Sequence, residues 1–161
     1  MTKSQKEDEL IFAELYPRLR AFASVVGPRS LDPDDLVQEA LVRTLAKHRL
    51  AELDHPLAYL RRVVHNLSTD QMRAEGRRHL RVPPDGDQDV APHYPSDLAD
   101  LEHVSATDRA LVYMIHVESA TYSEAAGVFG GSEASLRKRS QRALAQLRAV
   151  LVAGEEEAGK V

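Results

Sequence analysis

The chain has 161 residues, 43% of them hydrophobic and 29% charged, with a formal net charge of −4 and no cysteine. That length holds one domain or two small ones of ordinary soluble composition, and the lack of cysteine excludes disulfides and thiolate zinc sites. No apolar run approaches the ~18 residues of a membrane span, and the charged N-terminus MTKSQKEDELIFAEL lacks a signal peptide's apolar core, so cytoplasmic residence without membrane insertion is expected.

Residues 6–26 read as a first helix with Leu10, Ile11, Leu15, Leu19, Phe22 and Val26 as its apolar stripe, ended by Gly27-Pro28. A second helix runs over Leu31–Leu45. Asp32 can cap it, Pro33 suits its first position, and Asp34 and Asp35 favour the positive end of its dipole. Its expected buried face is Leu36, Val37, Ala40, Leu41, Thr44 and Leu45, which leaves Asp34, Asp35, Gln38, Glu39, Val42 and Arg43 outside. A capped, solvated helix would show the same spacing. Residues 46–55 form a loop or short turn.

Pro56–Arg81 is a long helix with two stripes. Leu60, Val63, Val64 and Leu67 face a core. Tyr59, Arg62, Asn66, Asp70, Arg73 and Arg77 fall together within roughly 80° of the helix circumference. That face offers a ring, an amide, a carboxylate and guanidinium groups, which can stack on bases and hydrogen-bond bases or phosphates. An Arg-rich amphipathic helix exposed to solvent is the alternative.

From Val82 to about Asp100 the chain is rich in Pro and Asp and poor in apolar residues, the composition of an extended linker. Leu101–Val117 resumes a helical pattern through Leu101, Val104, Leu111, Val112, Met114 and Ile115. Thr121-Tyr122-Ser123-Glu124 is a capping box opening a short helix. Gly130-Gly131 supplies a turn, and Ser132 caps a helix running to about Leu151 on Leu136, Ala143, Leu144, Leu147 and Leu151. A short helix, a glycine turn and a longer basic helix make the pattern of a helix-turn-helix, which a structural hairpin shares. The tail from 153 is expected to be disordered.

Charge is distributed in blocks. Residues 56–81 hold six Arg against Asp70 and Glu75, and residues 134–148 hold Arg137, Lys138, Arg139, Arg142 and Arg148 with no acid. Residues 82–104 carry Asp85, Asp87, Asp89, Asp97, Asp100 and Glu102 with no Lys or Arg. Local charge decides where phosphates bind, so a net acidic chain is compatible with a nucleic-acid partner. No zincin pattern, phosphate loop or catalytic grouping stands out, so neither enzymatic activity nor a metal or cofactor is expected.

Both halves resemble the sigma factors of bacterial RNA polymerase, specifically the two-domain extracytoplasmic-function (ECF) group. LDPDDLVQEALVRTL resembles the helix that grips the β′ clamp helices, PLAYLRRVVHNLSTDQMRAEGRR the helix that reads and opens the minus-ten element, and TYSEAAGVFGGSEASLRKRSQRALAQLR the helix-turn-helix that reads the minus-thirty-five element. The resemblance covers roughly residues 8–151. It implies an all-α fold of a sigma domain 2-like bundle (1–81), a linker (82–100) that threads the polymerase RNA channel, a sigma domain 4-like unit (101–152) and a tail (153–161).

The resemblance also implies roles. Asp35, Gln38 and Glu39 match polymerase-gripping positions. Tyr59, Arg62, His65, Asn66, Thr69, Asp70, Arg73 and Arg77 belong to the minus-ten reading and melting helix, and Lys47–His55 matches the segment receiving a flipped base. Ser135, Arg137, Lys138, Arg139 and Arg142 match the groove-facing side of the recognition helix. Core polymerase (β′ clamp helices and β flap) and promoter DNA are the implied partners, with an anti-sigma factor left open. The chain departs from the family at Tyr59, where Trp is common, at Ser105, where Pro often opens the second domain, at Ser119-Ala120, which replaces a usual Gly-Leu, and at Ser140, usually apolar. The rival functions are a sigma-like decoy that binds an anti-sigma factor and a plain helix-turn-helix repressor.

Overall fold

The computed structural model describes residues 1–79 and 104–159, so the linker at 82–100 lies outside the described residues. All regular structure among them is helical: α1 (Lys3–Val26), α2 (Pro33–Leu45), α3 (Pro56–His79), α4 (Ala106–Val112), α5 (Tyr122–Phe129) and α6 (Glu133–Ala158). The chain divides into two compact units, the first built on α1–α3 together with residues 127–129 and the second on α4, the rest of α5 and α6.

In the first unit, α1 starts earlier than its apolar pattern indicates. Thr2 accepts from the Gln5 N–H at 3.2 Å while Gln5 Oε1 accepts from the Thr2 N–H at 2.8 Å, a reciprocal cap that carries the helix back to Lys3. Pro17 sits inside α1 on its exposed side. The helix end is tied to α3, where Ser68 Oγ donates to the Val26 carbonyl at 2.6 Å, satisfying one of the carbonyls a helix C-terminus leaves over. α2 is capped as expected, with the Asp34 N–H donating to Asp32 Oδ1 at 2.8 Å and Pro33 at the first position.

The three helices and a 3₁₀ turn at Leu50–Glu52 close over Leu19, Phe22, Ala23 and Val26 of α1, Leu36, Val37 and Ala40 of α2, Leu50, and Leu60 and Val64 of α3. Each large side chain so buried contributes about 1.5–3 kcal/mol. Two expected core residues are exposed instead. Leu10 lies about 180° around α1 from Leu19, and Leu45 lies about 125° from the centre of the buried stripe of α2. Arg61 is buried although charged, with its guanidinium over the Phe22 ring, 5.2 Å from the centroid.

In the second unit, Ser105 caps α4, its Oγ accepting from the Asp108 N–H at 3.2 Å. α4 then widens into a π turn at Tyr113–Val117 instead of continuing as a regular helix. The turn closes through Ser119, at φ 57°, with the Ala120 N–H donating to the Met114 carbonyl at 2.8 Å. The capping box of α5 forms as read, with Thr121 N–H to Glu124 Oε2 at 2.7 Å and Glu124 N–H to Thr121 Oγ1 at 3.1 Å. Gly130 and Gly131 take φ of 77° and 83°, which side-chain-bearing residues adopt only at a cost. The core is Val104, Ala110, Leu111, Met114, Ala125, Leu136 and Ala143, with Ser140 among them. α6 continues past Leu151 to Ala158, so residues 153–158, expected in a disordered tail, are helical; Ala153 and Glu155 to Glu157 are strong helix formers and carry the helix across Gly154. Leu151, expected in the core, is exposed.

Candidate nucleic-acid interface

Three faces carry the sequence-predicted residues. On α2, Asp35, Gln38 and Glu39 are exposed while the neighbouring Asp34 is not part of that face: it accepts hydrogen bonds from the Tyr16 hydroxyl and from Arg20 Nε (3.0 Å) and so ties α2 to α1. This acceptor raises the Tyr16 pKa above its ordinary value, with desolvation a smaller contribution. Glu39 pairs with Arg43 one turn on, Nε to Oε1 at 2.6 Å. Between and beside these polar groups stand Val42 and Leu45, 64% and 45% exposed. Asp35, Gln38, Glu39, Val42 and Leu45 span about 120° of the helix. Val42 thus stands among exposed acids and an amide, with Leu45 at the edge of the sector. Leu45, expected in the core, lies outside the buried stripe of Leu36, Val37, Ala40 and Thr44 and joins this exposed face instead.

On α3, Arg62, Asn66, Asp70, Arg73 and Arg77 are exposed along one side, and Tyr59, His65 and Thr69 are half-buried at its edge. Thr69 Oγ1 is used by the helix itself, donating to the His65 carbonyl at 2.9 Å. Tyr59 meets His48 edge-to-face, centroids 5.3 Å apart at 76°, which joins the start of α3 to the 46–55 loop. That loop is held firmly. Leu50 is buried beneath it, Arg49 Nη2 donates to the Ser4 carbonyl at 3.0 Å and pairs with Glu7 and Asp8, and the Ala51 N–H donates to Asp8 Oδ1 at 3.1 Å. The first turns of α1 therefore position the loop, a role invisible to periodicity because it rests on polar contacts across more than forty residues. The capping box at Thr2–Gln5 is the one sequence signal of it.

On α6, Ser135, Arg137, Lys138, Arg139 and Arg142 are all exposed, but they are not equivalent. Ser135 serves the helix start: its N–H donates to Ser132 Oγ (3.1 Å) and its Oγ to the Ser132 carbonyl (2.9 Å). Arg139 donates to Asp108 of α4, and the Arg137 guanidinium lies over the Tyr122 ring of α5, 5.1 Å from its centroid. Neither Lys138 nor Arg142 has such a tether among the described contacts. No group of acids and histidines that could hold a metal ion occurs among the described residues.

Residues 11–78 match the sigma-70 region 2 family. The RNA polymerase sigma-E factor of Streptomyces coelicolor is 35% identical, over 93% of this chain and 92% of that one. The ECF RNA polymerase sigma factor EcfG of Rhodopseudomonas palustris is 29% identical, over 99% and 92%. The chain belongs to the ECF sigma factors. Its fold agrees with the sigma factor RpoE of Bartonella quintana, solved in complex with the anti-sigma factor NepR, with a TM-score of 0.71 at 24% identity over 91% of this chain and 97% of that one. In this sigma factor the family match covers the α2 and α3 faces together with the loop between them, while the likeness to the relatives covers nearly the whole chain.

Proposed function

We infer that the chain is a promoter-selecting subunit of bacterial RNA polymerase: it docks on the core enzyme through the α2 face, engages and helps open the minus-ten element through α3 and the 46–55 loop, and reads the minus-thirty-five element with α6. The observation that carries this reading is the coexistence, in one unit, of the acid-and-apolar face of Asp35, Gln38, Glu39, Val42 and Leu45 with the Arg, Asn and Asp face of α3, in a chain that aligns with sigma factors over nearly its whole length. Strand opening needs unpaired bases to be caught by stacking and edge hydrogen bonds, which Tyr59, His48, Asn66 and Asp70 can supply. Arg62, Arg73 and Arg77 suit backbone phosphates. Two weak DNA contacts delivered through one large partner gain from effective concentration.

The proposed domains are 1–81 and 101–152 with a linker at 82–100, and the proposed location is the cytoplasm. No helix among the described residues is long and apolar enough to cross a membrane. The protein would act without catalysing a reaction of its own. An anti-sigma partner fits the same reading, since a protein covering the exposed α2 face would compete with the polymerase. Run-off transcription with core polymerase on genomic fragments, with and without the protein, tests the proposal. Promoter-dependent transcripts support it; repression or no effect speaks for a repressor or a decoy.

A further inference from the structure

The five polar residues on the recognition helix divide by what holds them. Around α6, Arg137 and Arg139 lie about 200° apart, on opposite flanks of the buried row of Leu136, Ser140 and Ala143. Ser135, Lys138 and Arg142 occupy a sector of about 60° on the outward side. Arg139 is drawn by Asp108 toward α4 and braces that helix against α6. Arg137 is drawn the other way, onto the ring of Tyr122 at the first position of α5.

In a helix-turn-helix the first helix crosses the DNA backbone while the second enters the major groove. A guanidinium pinned at the start of the first helix therefore stands at the groove edge, where phosphates run, and not over the base edges. Tyr122 is half-buried and its ring is fixed by the capped first turn of α5, with Thr121 and Glu124 bonded to each other's backbone. A planar cation resting on a fixed ring keeps its hydrogen-bonding edges outward and gives up fewer rotamers on binding.

We propose that Tyr122 is a positioning residue of the minus-thirty-five site: its ring holds Arg137 as a phosphate clamp, leaving Lys138 and Arg142 to read bases. This rests on the reading of α6 as the minus-thirty-five helix. It assigns a part in DNA binding to a residue outside the recognition helix and divides the basic residues into positioning and reading groups.

The test uses the full chain with core polymerase. Holoenzyme affinity is measured across a salt series for a promoter fragment recovered from run-off transcription, and for the same fragment with its minus-thirty-five element scrambled. Tyr122→Phe should bind as wild type does. Tyr122→Leu should lose roughly two- to five-fold, the worth of an exposed cation–π contact, equally on both fragments. Arg137→Ala should lower the salt slope by about one, leave the intact-to-scrambled ratio unchanged, and abolish any further effect of Tyr122→Leu. The proposal is overturned if Tyr122→Leu narrows that ratio, if its effect adds to that of Arg137→Ala, or if Phe is as damaging as Leu. Should Tyr122→Leu unfold the second unit, exposed Arg137 still decides the matter, since a narrowed ratio in Arg137→Ala would make it a base reader. If Lys138→Ala and Arg142→Ala leave the ratio unchanged, the reading of α6 itself fails, an outcome separate from these.

Discussion

Ser140 is fully buried in the middle of α6, and its Oγ has no hydrogen-bond partner among the described residues. Replacing it by Ala should stabilise the second unit. An unpaired buried hydroxyl costs about 1–3 kcal/mol, and Ala is a better helix former than Ser by roughly 0.5 kcal/mol. Against this stand the lost contacts of one oxygen atom, a few times ~0.1–0.2 kcal/mol. The balance is a gain of about 1–2 kcal/mol. In a unit of this size each kcal/mol moves the thermal midpoint by about 4–8 °C. Thermal unfolding of the full chain followed by far-UV circular dichroism reads the shift, and amide hydrogen exchange across Leu136–Leu147 assigns it to the second unit, since the two units need not melt together. An unchanged or lowered midpoint would refute the reasoning, because it would mean that the hydroxyl finds an acceptor, most simply a carbonyl one turn back in α6.

Ser119 occupies the left-handed region at φ 57°, which costs a side-chain-bearing residue roughly 1–2 kcal/mol. Ser119→Gly should raise the midpoint of the second unit and Ser119→Val should lower it; the opposite order in the same melts would contradict the strain. Asp35→Ala with Glu39→Ala should weaken core polymerase binding about ten-fold or more, and Val42→Asp should do the same by charging the apolar centre of that face; equal affinities for variant and wild type in a titration would remove α2 from the interface. Asn66→Ala should impair open-complex formation more than polymerase binding, seen as loss of permanganate-reactive thymines, and a full-strength bubble would argue against it. Tyr16 has a folded-state pKa above its ordinary value because it donates to Asp34, so its stabilising contribution is present below about pH 10 and fades as pH rises through the raised value. The stability advantage of wild type over Tyr16→Phe should therefore shrink in urea melts above that pH, and a constant difference would count against the bond.

Much of the fold was legible because it depends on local rules. Asp32-Pro33, the Thr121–Glu124 box, the Gly130-Gly131 turn and the Ser132 cap each satisfy backbone groups within a few residues, so the sequence around them is sufficient to place α2, α5 and α6. The α3 face was legible for the same reason, since a helical period fixes which residues share a side. Periodicity misleads where apolar character alone assigns a residue to the core: Leu10 and Leu45 are apolar but lie well around their helices from the buried stripe, and they and Leu151 are exposed. Of the four departures from the family pattern, three have visible consequences: Ser105 became a cap, Ser119 took a left-handed turn, and Ser140 put an unpaired hydroxyl in the core.

By itself the sequence determined an all-α chain, most helix starts and turns, and which polar side chains point away from the core, because propensity, capping and period act over one or two turns. Tertiary structure alone decided what each polar group touches. Arg61 went inside over Phe22, Asp34 was taken up by Tyr16 and Arg20 of α1, Arg49 pinned the 46–55 loop to α1, and Arg137 and Arg139 were tethered to different helices. Such partners lie up to forty-five residues apart, and a long flexible side chain reaches several alternatives from one position. Packing of the helices selects among them, and no local pattern encodes that choice.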